Sequence, residues 1–293
     1  MTLAHLIPLA IQASIGIIVF GIALDAHFRD LTYLLHKPGL LARSLLAMFV
    51  IMPVLAVALA VLFDLNPVVE VALIALALAP VPPILPKKQA KAGGAPSYAI
   101  GLLFIAALIS IVYVPAALAL LGRIFGRPVH VDAGTVAKIV AVSVLLPLAA
   151  GLVVGRLAPA VADRAAKPLF IVAMVVLVIA ALPVLVKEWP AVVGLVGHFS
   201  VIAIALFATV GLGVGHALGG PDADERTVLA LSTATRHPGI AMAIAADMPD
   251  KQALLAAVLL VVIVGAIVSG PYVKWRGRGH DAGRPRQRPW SAS

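Results

Sequence analysis

"PVPPILPKKQAKAGG", residues 80–94, carries four prolines and three lysines in fifteen positions, directly after an apolar run. It is either a loop between two helices or a helix broken inside an apolar layer. Pro80, Pro82, Pro83 and Pro86 exclude one continuous helix, because each lacks a backbone donor and clashes with the carbonyl one turn back. The preceding Val69 to Ala79 is long enough to reach about mid-bilayer at ~1.5 Å per residue. The next undoubted helix, from Ser97 to Leu121, begins only after Gly93 and Gly94. The break therefore falls well inside the layer, or the segment is too short to cross it. Irregular backbone at that depth must be buried in protein or line a wet cavity.

The rest of the chain supplies the layer. Of 293 residues 62% are hydrophobic and 12% charged, against roughly 25% charged in soluble domains. Nine hydrophobic segments are expected, near 3–24, 38–63, 67–93, 95–121, 136–157, 167–186, 191–219, 226–247 and 252–274. A helix of roughly 20 apolar residues crosses a ~30 Å hydrocarbon layer, so the reading is an all-α polytopic membrane protein. Cysteine is absent, which excludes disulfides, thiolate metal sites and cysteine nucleophiles. "MTLAHLIPLAIQ" lacks a basic leader and a small-residue cleavage site, so it reads as the first membrane helix. The net charge of +9 would suggest nucleic acid in a soluble protein. Here the excess sits in short loops and in the tail "KWRGRGHDAGRPRQR", so the expected partner is a lipid bilayer and no nucleic acid.

Arg29, Lys37, Arg43, Arg156, Arg164, Lys167 and the tail cations from Lys274 to Arg288 fall on one side if nine segments cross. The positive-inside rule then puts the N-terminus outside and the C-terminus in the cytoplasm of a cell (inner) membrane, with Arg123 and Arg127 as exceptions. The eighth segment repeats the opening pattern. "RTVLALSTATR" reads as a half-helix, "HPG" as an interruption through Pro238 and Gly239, and "IAMAIAADM" as a second half-helix. Two interrupted segments at corresponding places in the two halves point to a transporter binding site.

"FVIMP" (Phe49–Pro53), "AP" (Ala79–Pro80) with the non-helical stretch after it, and "RTVLALSTATRHPGIAMAIA" (Arg226–Ala245) resemble the bile acid:sodium symporter family. The resemblance runs from about residue 3 to 274. It implies a single transmembrane unit over 1–274, built as two inverted repeats with two broken, crossing helices, and a basic cytoplasmic tail over 275–293. Panel helices are expected over about 3–63 and 167–219, and core helices over about 67–157 and 226–274. It further implies carriage of bile acids or small carboxylates, usually coupled to sodium.

The departures from the family bear on that coupling. Its sodium-binding serine and asparagine after the first break fall on Leu85 and Pro86, and further ligands fall on Ala99 and Leu103. Its glutamate and glutamine at the second break fall on Ser232 and Arg236, and a glutamine before "FVIMP" falls on Met48. Sodium needs several hard oxygen ligands, and nearly all are gone, so no metal or cofactor is carried over. Cations stand nearby instead: Lys87, Lys88 and Lys91 at the first break, Arg236 and His237 at the second. With the half-helix N-termini after Pro86 and Pro238, they would suit an anion directly. Arg236, His237, Lys87, Lys88, Ser232 and Thr235 are the candidate substrate-binding residues, with Lys87 the nearest to the first break.

Simpler readings stand beside these. The lysines also read as positive-inside residues at a helix end, and Ser232, Thr233 and Thr235 as hydroxyls bonding back to the preceding turn. His198 and His216 read as structural, as do Gly211 and Gly215, a small-xxx-small pair that lets helices approach closely. There is no H-E-x-x-H, G-x-S-x-G or Walker A motif, and no pair of intramembrane carboxylates, so no enzyme is expected. The expectation is a secondary transporter of a small organic anion working by alternating access, with coupling independent of sodium. A sodium symporter using backbone ligands, and a non-transporting sensor or channel on the same fold, remain as alternatives. The sequence leaves the oligomeric state open.

Overall fold

The computed structural model describes residues 3–125, 131–197, 199–245 and 250–283. His198, Arg127 and the tail arginines 284, 286 and 288 lie outside the described residues. The described residues are helical and contain no strand. The helices are α1 (Leu3–Leu24), α2 (Pro38–Leu62), α3 (Pro67–Leu78), α4 (Leu85–Lys91), α5 (Pro96–Phe125) and α6 (Ala133–Leu157). They continue with α7 (Pro159–Gly194), α8 (Ser200–Leu218), α9 (Ala223–Ala234), α10 (Pro238–Ala245) and α11 (Lys251–Gly283). A short helix, Phe28–Thr32, and a 3₁₀ turn, Tyr33–His36, join α1 to α2.

Among the described residues seven helices are long and apolar enough to cross a membrane: α1, α2, α5, α6, α7, α8 and α11. The other two expected segments are the pairs α3–α4 and α9–α10, each interrupted. Proline sets many of the boundaries. Pro38, Pro67, Pro96, Pro159 and Pro238 each open a helix, where the missing N–H would have no partner in any case. The Asn66 side chain accepts from the Val68 amide at 3.1 Å and caps α3; Asp132 caps α6 through the Thr135 amide.

Two boundaries differ from expectation. The segments near 167–186 and 191–219 become α7, 36 residues long and continuous through Pro168, Pro183 and Pro190, followed by a shorter α8. Isolated prolines are tolerated in membrane helices because neighbours re-satisfy the freed carbonyls. The last helix continues to Gly283, so the expected tail begins as helix.

Packing gathers the helices into one large cluster and two small ones. Helix α1 lies along α7 and the second half of α6, with Ile18, Val19, Leu148, Leu152 and Ala173 between them. The large cluster holds α2, α3, α5, α8, α9, α10 and α11, with Leu85 of α4 and with Val136, Val140 and Val144 from the first half of α6. Helix α8 lies along α9 and α11, where Gly211 and Gly215 let it close on α9. A Cβ at Gly215 would stand within 2.5 Å of Ala230 Cα.

The end of the bundle that carries residues 25–37 is held by polar contacts. Glu225, buried in the first turn of α9, accepts from the Tyr33 hydroxyl at 2.6 Å and from Lys37 at 2.5 Å. These contacts, chiefly the bond to Glu225 and then the Tyr33 hydroxyl, hold the Lys37 ammonium well above its ordinary range. Arg276 of α11 donates to Thr227 Oγ1 at 2.7 Å, tying the last helix to the same place.

Candidate functional site

Helix α3 stops at Leu78, and Ala79 turns extended at φ −71°, ψ 151°, as a residue before proline must. Pro82 and Pro83 stand where the amides that would bond to the carbonyls of Leu78 and Ala79 should be. The stretch from Ala79 to Pro83 is buried, and Pro80, Pro82 and Pro83 bring it carbonyls without amides. The opening stretch is therefore a buried interruption between two half-helices.

The second break is shorter. Thr235 is extended at φ −126°, ψ 130°, and Arg236 and His237 bridge to Pro238, the first residue of α10. Its donors meet the acceptors of the first break. The His237 amide donates to Pro80 O at 2.9 Å, and Arg236 Nη1 donates to Ala79 O at 3.2 Å.

The other terminal nitrogen of Arg236, Nη2, donates to Met48 O at 2.9 Å. That carbonyl is free because of a π-turn, Ala47–Ile51, in α2: the Met52 amide bonds to Ala47 O and skips Met48. One residue on, Pro53 supplies no N–H for Phe49 O, and the Tyr113 hydroxyl fills that place at 2.5 Å. Two successive carbonyls of α2 thus take side-chain donors from other helices. Arg236 is 4% exposed and forms no ion pair among the described residues. Its Nε has no partner there either. Its partners among the described residues are two backbone carbonyls.

His237 is buried, and its Nδ1 accepts from the Gly239 amide at 3.0 Å. That bond requires an unprotonated Nδ1 and leaves the proton of a neutral ring on Nε2, an assignment made from the hydrogen bonds. Ser232 is fully buried and receives Gln89 Nε2 at 2.8 Å, while the same nitrogen donates to Val228 O at 2.9 Å. Gln89 thereby ties α4 to α9. Sequence reasoning passed it over; the signal available was a lone amide among the lysines of "PKKQAK".

The three lysines separate. Lys88 turns inward, donating to Ser269 Oγ of α11 at 2.7 Å. Lys87 lies 3.6 Å from Asp25 and 5.4 Å from the centre of the Phe170 ring, reaching α1 and α7. Lys91 is exposed. Lys88, and not Lys87, the nearest lysine to the first break, thus turns toward the cavity, one step along a half-helix turning a side chain by about 100°.

Lys88, Thr235 and Arg236 line one cavity of about 170 Å³, with Pro82 and Pro238 at the two breaks. Ser232, His237 and Lys87 do not line it. Leu85, Ala99, Leu103 and Met48, on which the resemblance would put sodium ligands, are all buried with apolar side chains. Among the described residues no group of three or more His, Asp or Glu is placed to hold a metal ion.

One buried acid lies where the sequence reading placed residues 187–190 between two hydrophobic segments. Glu188 lies inside α7 and is 3% exposed, with Lys187 at 3.8 Å from Oε1 and Oε2 unpaired among the described residues. His216 packs edge-on against Tyr272 and bonds its hydroxyl at 2.8 Å, the structural role expected of it.

Among curated proteins none matches the chain. The family model described as the Sodium Bile acid symporter family matches residues 13–195, a stretch that includes the first break and ends before the second. The family's members are transporters, and the apolar helices make this a multi-pass membrane protein. With a match over more than half its length, on a helical chain interrupted at buried prolines, this protein belongs to the sodium bile acid symporter family.

Proposed function

We propose that the chain is a secondary transporter that moves a small organic anion across a cell membrane by alternating access, with no bound sodium ion. The observation that carries this is the position of Arg236. Its guanidinium lies between the freed carbonyls of Ala79 and Met48, and a guanidinium keeps its charge in any protein environment. Backbone oxygens with a fixed cation between them are a site already filled. A sodium ion placed there would meet like charge, and the side chains at the family's ligand positions offer it no oxygen beyond Ser232, which already receives Gln89.

The charge that a coupling ion would bring is thus built into the chain. Lys88 adds a second cation and Thr235 a hydroxyl on the same cavity. These three are the substrate-binding group, with His237, Ser232 and the prolines bracing them. The two interrupted pairs, α3–α4 and α9–α10, are the related elements of two inverted repeats. By the positive-inside rule, the cations of residues 25–37 and of α11 support a cytoplasmic position for that end in an inner membrane.

The test is uptake by the protein reconstituted in vesicles, using labelled carboxylates in sodium medium and in choline medium. Equal saturable uptake in the two is expected. A steep sodium dependence would overturn the reading in favour of a symporter with backbone ligands. Saturable binding without accumulation would favour a sensor on the same fold.

A further inference from the structure

The cavity between the breaks has two unlike faces. One carries Lys88, Thr235 and Arg236; the other is walled by Leu76, Phe207, Val261 and Val262. Among the described residues no acid lines it. Arg236 is buried with an unpartnered Nε and without a carboxylate partner among the described residues. A buried charge in that state is costly unless an anion arrives.

Volume limits what that anion can be. The cavity is about 170 Å³, and an apolar cavity of roughly 150 Å³ holds one benzene ring. The occupant therefore has on the order of six to eight non-hydrogen atoms. A steroid acid is several times too large. The apolar walls decide the rest: a second charge or several hydroxyls would be stripped of water against Leu76 and Phe207 with no hydrogen bonds in return.

The geometry points to a short-chain monocarboxylate, with its carboxylate at Lys88, Thr235 and Arg236 and its carbon tail against α8 and α11. This rests on the proposed anion site and names the class of ligand it takes. The tail would run past Gly265, where an added Cβ would meet only Ala234 O, at 3.9 Å. A larger side chain at 265 can therefore enter the cavity without forcing the backbone apart.

The experiment measures thermal unfolding of the full chain in detergent with choline salts of acetate, butanoate, hexanoate, decanoate, succinate and cholate, each against choline chloride at equal ionic strength. A ligand that binds only the folded state raises the midpoint by mass action. Butanoate and hexanoate should stabilise most, with acetate weaker and decanoate, succinate and cholate without effect. Gly265→Leu should abolish the hexanoate response and spare that of acetate. Lys88→Met should weaken both by about tenfold or more, the worth of a charge-assisted hydrogen bond. Equal shifts along the series, or tighter binding of succinate or cholate, would overturn the assignment. Repeating the series with sodium salts separates the two readings. A short-chain response that appears only in sodium removes the sodium-free mechanism and leaves the ligand class. A sodium-free response to cholate does the reverse.

Discussion

The two breaks do opposite jobs with the backbone. The first, around Pro80, Pro82 and Pro83, has lost its donors and presents the carbonyls of Ala79 and Pro80. The second, Thr235 to His237, brings a guanidinium and a free amide, and both donate across to the first. Neither would be tolerable alone at membrane depth, since unpaired backbone groups there cost several kcal/mol each. Together they satisfy one another. A polar junction inside an apolar bundle is thus made by pairing a proline-rich acceptor segment with an arginine–histidine donor segment.

The largest effect should come from removing the donor. Arg236→Ala would leave Ala79 O and Met48 O unpaired in the core. Each buried orphan costs about 1–3 kcal/mol, so a loss near 3 kcal/mol is expected in unfolding measured in detergent. Removing an uncompensated buried charge offsets part of it. An unchanged midpoint would mean that the two breaks do not depend on each other.

Adding donors to the acceptor segment should cost less. Pro82→Ala and Pro83→Ala each place a new N–H in buried backbone, and each also frees the unfolded chain, worth about 0.4–1 kcal/mol. A loss of about 1–2 kcal/mol is expected for each variant, read in the same unfolding experiment. Stabilisation by either would show that the segment has acceptors to spare inside and can close as helix.

The smallest effect concerns the way α9 is anchored. Lys37→Met removes the 2.5 Å contact to Glu225, but the Lys37 side chain is 42% exposed, so solvent screening limits the loss to no more than about 1 kcal/mol. The pH dependence has a definite sign. The Lys37 ammonium is held above its ordinary range by Glu225. Its contribution is therefore full below the unfolded value of about 10.4 and is lost as pH rises beyond it. Parent and Lys37→Met stabilities should converge in that alkaline window. Convergence at acid pH instead would place the linkage on another group.

Much of this was legible because proline acts locally. The clustered Pro80, Pro82 and Pro83 exclude a continuous helix, and "HPG" sets a proline beside a glycine at 238–239, whereas the isolated prolines of α7 leave it unbroken; both interruptions were therefore readable from the local pattern. What Arg236 touches was not legible. Its partners are backbone carbonyls of Ala79 and Met48, 157 and 188 residues away, and carbonyls carry no residue identity to read. Gln89 was missed for a related reason, since its meaning lies in Ser232, on another half-helix.

By itself the sequence determined a helical membrane chain with two interrupted segments, because hydropathy and proline stereochemistry act over a few residues. Only the tertiary structure decided that Lys88 and not Lys87 turns inward, and that α2 and α8 pack with the broken helices. It alone decided that a π-turn in α2 offers a carbonyl to Arg236. Those outcomes depend on the rotation and approach of whole helices. Apolar surface drives burial without direction, and the choice among the possible arrangements was left to packing.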